Sequence, residues 1–180
     1  MRDGCGRTID YLRLSVTDLC NYRCRYCMPP EGVCKRDHRD TLPVEECAEI
    51  AEAAVRLGVK KIRLTGGEPL VRRGIVEICR QLRAIPGLEE LCLTTNGSLL
   101  PELAKPLREA AVDRLNSSMD TLRTDRFRDI TRLGSLEDVM SGIEAAETAG
   151  FRNLKLDTVL IGGFNDDEIG DFLQLTLEHP

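Results

Sequence analysis

Apolar and polar positions alternate in five short stretches, and between them the apolar positions recur at helical spacing. In residues 9–17, Leu12, Leu14 and Val16 alternate with Tyr11, Arg13, Ser15 and Thr17, which predicts a strand with two unlike faces. A Cys-, Arg- and Pro-rich loop follows over about 19–42. Pro43 opens a helix through Leu57 with the stripe Val44, Cys47, Ile50, Ala51 and Ala54, and Gly58 stops it. Alternation returns over 59–66 and runs into Thr65-Gly66-Gly67-Glu68-Pro69. Ile75, Ile78, Cys79 and Leu82 mark a second helix, ended by Pro86-Gly87. A third strand over 90–96 leads to a weaker helix over 101–110, with a kink expected at Pro106. The fourth strand is 112–118. The capping box Ser135-Leu136-Glu137-Asp138 starts a long helix carrying Leu136, Val139, Met140 and Ile143 and ending at Gly150. The fifth strand covers about 153–161, and Asn165, with Glu168 three positions on, caps a last helix.

Strand and helix alternate five times, which implies a parallel sheet with helices packed outside. Each strand also sets polar groups on one face: Arg13 and Ser15, Arg63 and Thr65, Thr94 and Asn96, Asn116 and Ser118, Lys155 and Asp157. A doubly wound sheet is covered on both faces and reads as nearly continuous apolar runs. A consistently polar face predicts strands lining a wet, ligand-filled interior instead. The expected fold is therefore α/β, an incomplete TIM-type (β/α) barrel of about five units, with its site at the C-terminal ends of the strands. No repeat, low-complexity tract or linker divides residues 1–180.

Composition narrows the chemistry. With 42% hydrophobic and 31% charged residues the chain is globular, and a net charge of −5 gives it no global basic field for nucleic acid or an acidic membrane. Any anionic substrate must be met by local Arg and Lys. No apolar run approaches the roughly 20 residues of a membrane helix. The start, Met1 to Gly6, has no apolar signal region, so a cytoplasmic location is expected. Eight cysteines in such a chain suggest metal binding or buried thiols more than disulfides. Cys5, Cys34, Cys47, Cys79 and Cys92 are scattered, and the last four read as core or loop thiols. His38 and His179 lack ligand spacing, and Phe127, Phe151 and Phe172 read as packing residues.

The remaining cysteines are grouped. Residues 20–27 read Cys-Asn-Tyr-Arg-Cys-Arg-Tyr-Cys, a C-x3-C-x2-C spacing directly after the first strand. A [4Fe–4S] cube ordinarily takes four thiolates, so three leave one iron open to a substrate or cofactor. The alternative is a zinc site or three unrelated thiols. Structural zinc prefers two pairs of ligands, and no second pair lies near.

These residues resemble the radical S-adenosylmethionine (SAM) superfamily, and within it the GTP 3′,8-cyclase (MoaA) family of molybdenum cofactor biosynthesis. The resemblance rests on Tyr11–Pro29, Lys60–Arg73, Leu93–Gly97 and Gly163–Ile169 and covers the chain from residue 7. It implies a [4Fe–4S] cluster on Cys20, Cys24 and Cys27. It implies SAM contacts from Tyr26, Gly66, Gly67, Glu68 and Ser118, with Glu68 accepting from the SAM amino group. It also implies GTP contacts from Arg13, Arg63, Thr94 and Lys155, all on the polar faces. The implied reaction is reductive cleavage of SAM to a 5′-deoxyadenosyl radical. That radical starts cyclisation of GTP to (8S)-3′,8-cyclo-7,8-dihydroguanosine 5′-triphosphate. The implied partners are a reductant such as flavodoxin or ferredoxin and the next enzyme of the molybdopterin pathway, with no nucleic acid and no membrane.

On physical grounds alone, basic side chains inside a barrel are costly unless an anion or acid meets them. A triphosphate would do so for Arg13, Arg63 and Lys155; pairing with Asp157 or Asp120 is the alternative. Arg72 and Arg73 read as solvated residues of a first helical turn. The family is longer: its later part completes the barrel and carries a second cysteine triplet, so the chain is expected to be the N-terminal portion, without the second-cluster domain. Within the matched part, Ser117 stands at an outward position that is usually apolar. Asp157 stands where Asn is common, and Pro43 replaces a capping hydroxyl. Two other readings stay open: another radical SAM enzyme, peptide-modifying or of the haem pathway, and a non-catalytic fragment that binds one cluster and SAM.

Overall fold

The computed structural model describes residues 2–33, 41–152 and 154–178. Five strands form one sheet: β1 (Tyr11–Ser15), β2 (Lys61–Thr65), β3 (Glu90–Thr95), β4 (Arg114–Ser118) and β5 (Leu154–Asp157). Every pairing is parallel, and the spatial order β1-β2-β3-β4-β5 is the chain order. That order decides the architecture. A doubly wound sheet reverses direction at a switch point. Right-handed crossovers that always advance the same way put every helix on one face and leave the other open. This is the open, partial barrel expected from the polar alternation.

Among the described residues six α-helices connect and follow the strands: α1 (Val44–Arg56), α2 (Ile75–Arg83), α3 (Leu100–Glu109), α4 (Thr124–Thr131), α5 (Leu136–Thr148) and α6 (Ile169–Glu178). Ile62, Leu64, Leu91, Leu93 and Leu115 of the sheet are fully buried against Ile78 and Leu82 of α2 and Leu100 and Leu107 of α3. The α2 stripe is buried as its spacing predicts. In α1 the covered face is Cys47 and Ala51, whereas Ile50 is 39% exposed, so the stripe is narrower than expected. Pro106 lies inside α3, where Ala110 N still donates to the Pro106 carbonyl at 2.9 Å. A second, smaller apolar cluster joins Tyr22, Met119, Phe127, Leu136, Val139 and Ile143. It lies under the cysteine loop.

Three expectations need correction. The sequence pattern leaves 119–134 without an element, yet α4 forms there and buries Phe127, Ile130 and Thr131. Asn165 does not cap a helix with its side chain. It accepts from Ile161 N at 2.7 Å and donates to the Asp120 and Val159 carbonyls at 2.6 and 2.9 Å. Glu168 is likewise no capping partner, because it is buried elsewhere. Ser135 does cap α5, accepting from Asp138 N at 3.4 Å. Cys47, Cys79 and Cys92 are buried thiols and Cys5 is exposed. Phe127 and Phe151 are core residues. Cys34, His38, His179 and the first residue of the expected fifth strand lie outside the described residues. Among the described residues no helix is long and apolar enough to cross a membrane.

Candidate functional site

Parallel register carries the period-two pattern of each strand across the sheet, so the polar positions gather on one face. Arg13 pairs in register with Arg63, and Asn116 with Lys155. Arg63 is held from two sides: its Nε donates to Tyr11 OH at 2.9 Å and its Nη1 to Thr94 Oγ1 at 3.1 Å. Lys155 Nζ lies 3.1 Å from Asp157 Oδ1, while Asn116 Nδ2 donates to Asp157 Oδ2 at 2.8 Å. Burial pushes the Asp157 carboxyl up, but Asn116 and Lys155 outweigh it and hold the group below its ordinary value. Arg13 is exposed, with no ion pair or hydrogen bond given to it among the described residues. Of the four anion-binding candidates, then, Arg63 and Thr94 are joined, Lys155 is paired with an acid, and Arg13 is open. Nearer the N-terminal ends of the strands, Glu90 accepts Lys61 at 2.6 Å and Arg114 at 3.4 Å. That trio was not singled out in the sequence, although stepping the polar faces back by two residues reaches Lys61 and Arg114, and by four reaches Glu90.

The three cysteines sit on the loop that leaves β1. This loop is irregular, so its backbone groups need partners outside any ladder. Gly67 N donates to the Thr17 carbonyl at 2.8 Å and Glu68 N to the Leu19 carbonyl at 2.7 Å. A Cβ at Gly67 would stand 2.3 Å from Leu19 O, and one at Gly66 2.5 Å from Thr17 O. Both glycines are thus required by the approach of the cysteine loop itself. Further along, Arg23 Nη1 donates to the Cys20 and Tyr22 carbonyls at 2.6 and 2.8 Å. Arg23 N and Arg25 N reach the Thr131 and Ile130 carbonyls at the end of α4, at 3.0 and 2.9 Å. Arg25 also pairs with Asp129 at 2.6 Å. The helix missed in the sequence is therefore the one that holds the cysteine loop. Its composition hides it, because Thr-Asp-Arg-Phe-Arg-Asp-Ile-Thr has only two large apolar residues.

Three buried carboxylates tie the loops of this edge together. Glu68, 1% exposed, accepts from Thr95 Oγ1, Asn96 N and Leu70 N at 2.7, 2.6 and 2.9 Å. Both of its oxygens are engaged inside the fold, joining the loops after β2 and β3. Asp120, 5% exposed, accepts Tyr26 OH at 2.7 Å and Val159 N at 2.9 Å. It links the cysteine loop to the loops after β4 and β5. Glu168, fully buried, accepts from Thr121 Oγ1, Leu122 N and Arg126 Nη1, each within 2.8 Å. The sequence marked Asn165 and Glu168 as a cap and Asp120 as a possible ion-pair partner, but not as ties between these loops. Arg72 also departs from expectation: it is partly buried and donates to the Leu42 carbonyl at 2.7 Å. Ser118 ends β4 on the polar face, half-buried.

Cys20, Cys24 and Cys27 are free thiols, the first two half-buried and the third exposed. Burial pushes the Cys24 thiol up to about 12, reinforced by Asp120, Cys20 and Cys27, and burial raises Cys20 as well. Thiols so placed keep their protons until a metal's charge displaces them. Among the described residues, no three His, Cys, Asp or Glu converge on a single-ion site. Three thiols spread over one loop suit a cluster that takes each thiolate on a different iron. The donor set therefore fits an iron–sulfur cube.

Comparison with known proteins follows the same line. The radical SAM superfamily pattern matches residues 14–176. A GTP 3′,8-cyclase of Peptoclostridium acidaminophilum is 57% identical over 177 residues, covering 98% of this chain and 54% of that protein. A GTP 3′,8-cyclase of Geobacter sulfurreducens is 57% identical over 178 residues, 99% of this chain and 55% of that protein. The chain spans about half the length of the curated relatives it matches. Among solved structures, Streptococcus suis SuiB bound to S-adenosylmethionine superposes with a TM-score of 0.74 at 16% identity, over 94% of this chain and 36% of that one. Coproporphyrinogen III oxidase (HemN) of Escherichia coli superposes with a TM-score of 0.64 at 14% identity, over 94% of this chain and 41% of that one. At such identity these two likenesses speak to the fold.

Proposed function

The chain belongs to the radical SAM superfamily, whose members use a [4Fe–4S] cluster and SAM, and on that premise we propose that it is the cluster-binding portion of a GTP 3′,8-cyclase. The observation that carries this reading is the gathering of Arg13, Arg63 and Lys155 on one sheet face, whose first strand leads into a loop with three free thiols. The name shared by relatives 57% identical supports it. Cys20, Cys24 and Cys27 would hold the cluster. Tyr26, Gly66, Gly67, Glu68 and Ser118 would line the SAM side. The bound cofactors supply one-electron cleavage of a carbon–sulfur bond and hence a group able to take a hydrogen atom from a ribose. The chain's own residues bind and orient. Arg63 is already ordered by Tyr11 and Thr94, so it meets a phosphate with little further loss of freedom. Arg13 is open to the same anion. Lys155 must be drawn from Asp157, which competes with the phosphate. The reading also calls for a one-electron donor such as flavodoxin or ferredoxin. It leaves the product to the next enzyme of the molybdopterin pathway, in the cytoplasm.

The test is GTP binding to anaerobically reconstituted protein, with 5′-deoxyadenosine formation measured with and without GTP. Arg63→Met should weaken GTP by about tenfold, one charge-assisted contact, and Asp157→Asn should tighten it. Iron uptake with no GTP binding would overturn the substrate and keep the superfamily. SAM cleavage with no GTP product would favour a fragment that holds the cluster and SAM but does not turn over GTP.

A further inference from the structure

Arg132 follows the last residue of α4 at φ 64° and ψ −37°. L residues rarely hold this conformation, and holding it stores strain. Among the described residues eight glycines take positive φ, and the two other residues there are Ala111 and Arg132. Glycine at 132, with no Cβ, would bear less of that strain, so what the position retains is its side chain. Arg132 Nη1 donates to the Arg23 carbonyl at 2.6 Å and to the Met28 carbonyl at 3.1 Å. These two carbonyls bracket the stretch that contains Cys24 and Cys27. The stretch has its own turn, with Cys27 N and Met28 N on the Cys24 carbonyl at 2.9 and 3.0 Å. The guanidinium closes that turn from outside, and it does so from a helix already joined to the loop at Arg23 N, Arg25 N and Arg25–Asp129.

We infer that Arg132 is a positioning residue of the iron–sulfur site: its guanidinium ties together both ends of the Cys24–Cys27 turn, so that the two thiols are presented in one fixed arrangement. The strained backbone is what keeps the side chain aimed at the loop. The inference rests on the reading that Cys20, Cys24 and Cys27 hold a cluster, and is independent of GTP as substrate.

The experiment compares the parent with Arg132→Gly and Arg132→Lys. Each is reconstituted anaerobically and challenged with an iron chelator, and the metal-free protein is melted in parallel. Arg132→Gly relieves the strained backbone, so its metal-free form should melt no lower than the parent. Its iron should nonetheless leave at least about tenfold faster, the equivalent of one charge-assisted hydrogen bond. Arg132→Lys, a point charge without the planar fork, should fall between. Equal iron retention in parent and Arg132→Gly overturns the inference. So does a drop in melting temperature large enough to account for the iron loss, because Arg132 would then serve the fold alone. A parent that takes up no iron overturns the cluster reading itself, and this inference with it.

Discussion

On the helix-covered face of the sheet, Leu64, Leu91, Leu93 and Leu115 are fully buried and each touches several apolar neighbours. At the C-terminal rim, Glu68, Asp120 and Glu168 are just as deeply buried, but each is satisfied by two or more specific donors. The core side is redundant: dispersion and apolar burial are spread over many contacts, and any side chain of similar volume serves. The rim is not. A buried carboxylate without its donors, or donors without the carboxylate, bears the full desolvation penalty. The contrast teaches where this protein tolerates change. The proposed site lies on the side where shape-preserving substitutions are not tolerated.

Four substitutions and one titration sharpen that contrast. The largest expected effect is Leu93→Ala, which opens a cavity in the core and should lower stability by about 2–5 kcal/mol in urea titration. Next is Glu168→Gln at the rim. It keeps volume but offers an amide where Thr121 and Leu122 N donate, and should cost about 2 kcal/mol. Leu93→Met, equally conservative in volume, should cost less than about 1.5 kcal/mol. If Glu168→Gln proved milder than Leu93→Met, the distinction between the two regions would fail. A smaller effect of opposite sign is expected at Ser117, whose buried Oγ has no partner among the described residues and lies where a Gly97 Cβ would touch it. Ser117→Ala should stabilise by about 1 kcal/mol.

The smallest effect concerns pH. Hydrogen bonds from Arg126 hold the Asp167 carboxyl below its ordinary 3.8. A carboxyl whose folded value is depressed contributes stability above its unfolded value and loses it as pH falls through the folded one. In unfolding curves taken across pH, the parent should therefore be more stable than Asp167→Asn above about pH 4, and the two should converge as pH falls below it, with a smaller gap in high salt. Coincident curves at low salt would show that the pair contributes nothing.

What the amino-acid order determined by itself is whatever repeats locally. The period-two strands, the α2 stripe of Ile75, Ile78, Cys79 and Leu82, the cysteine spacing and the polar inner face were all readable, because each depends on neighbours within a turn or a strand. The tertiary structure alone decided the rest. Tyr26 and Asp120 are 94 positions apart, Asn21 and Asn96 75 apart, and Thr121 and Glu168 47 apart. No local pattern predicts which distant donor a carboxylate will meet. Asn165 and Glu168 read as a cap because a cap and a cross-loop tie use the same residue types. Polar α4 gains its helix from Phe127 packing in the cluster under the cysteine loop and from the burial of Ile130, a stabilisation that propensity does not contain. Lys155 could have faced an anion or an acid, and folding set it beside Asp157. Periodicity is written along the chain, whereas the pairing of single polar groups is settled only when remote loops are brought to one edge of the sheet.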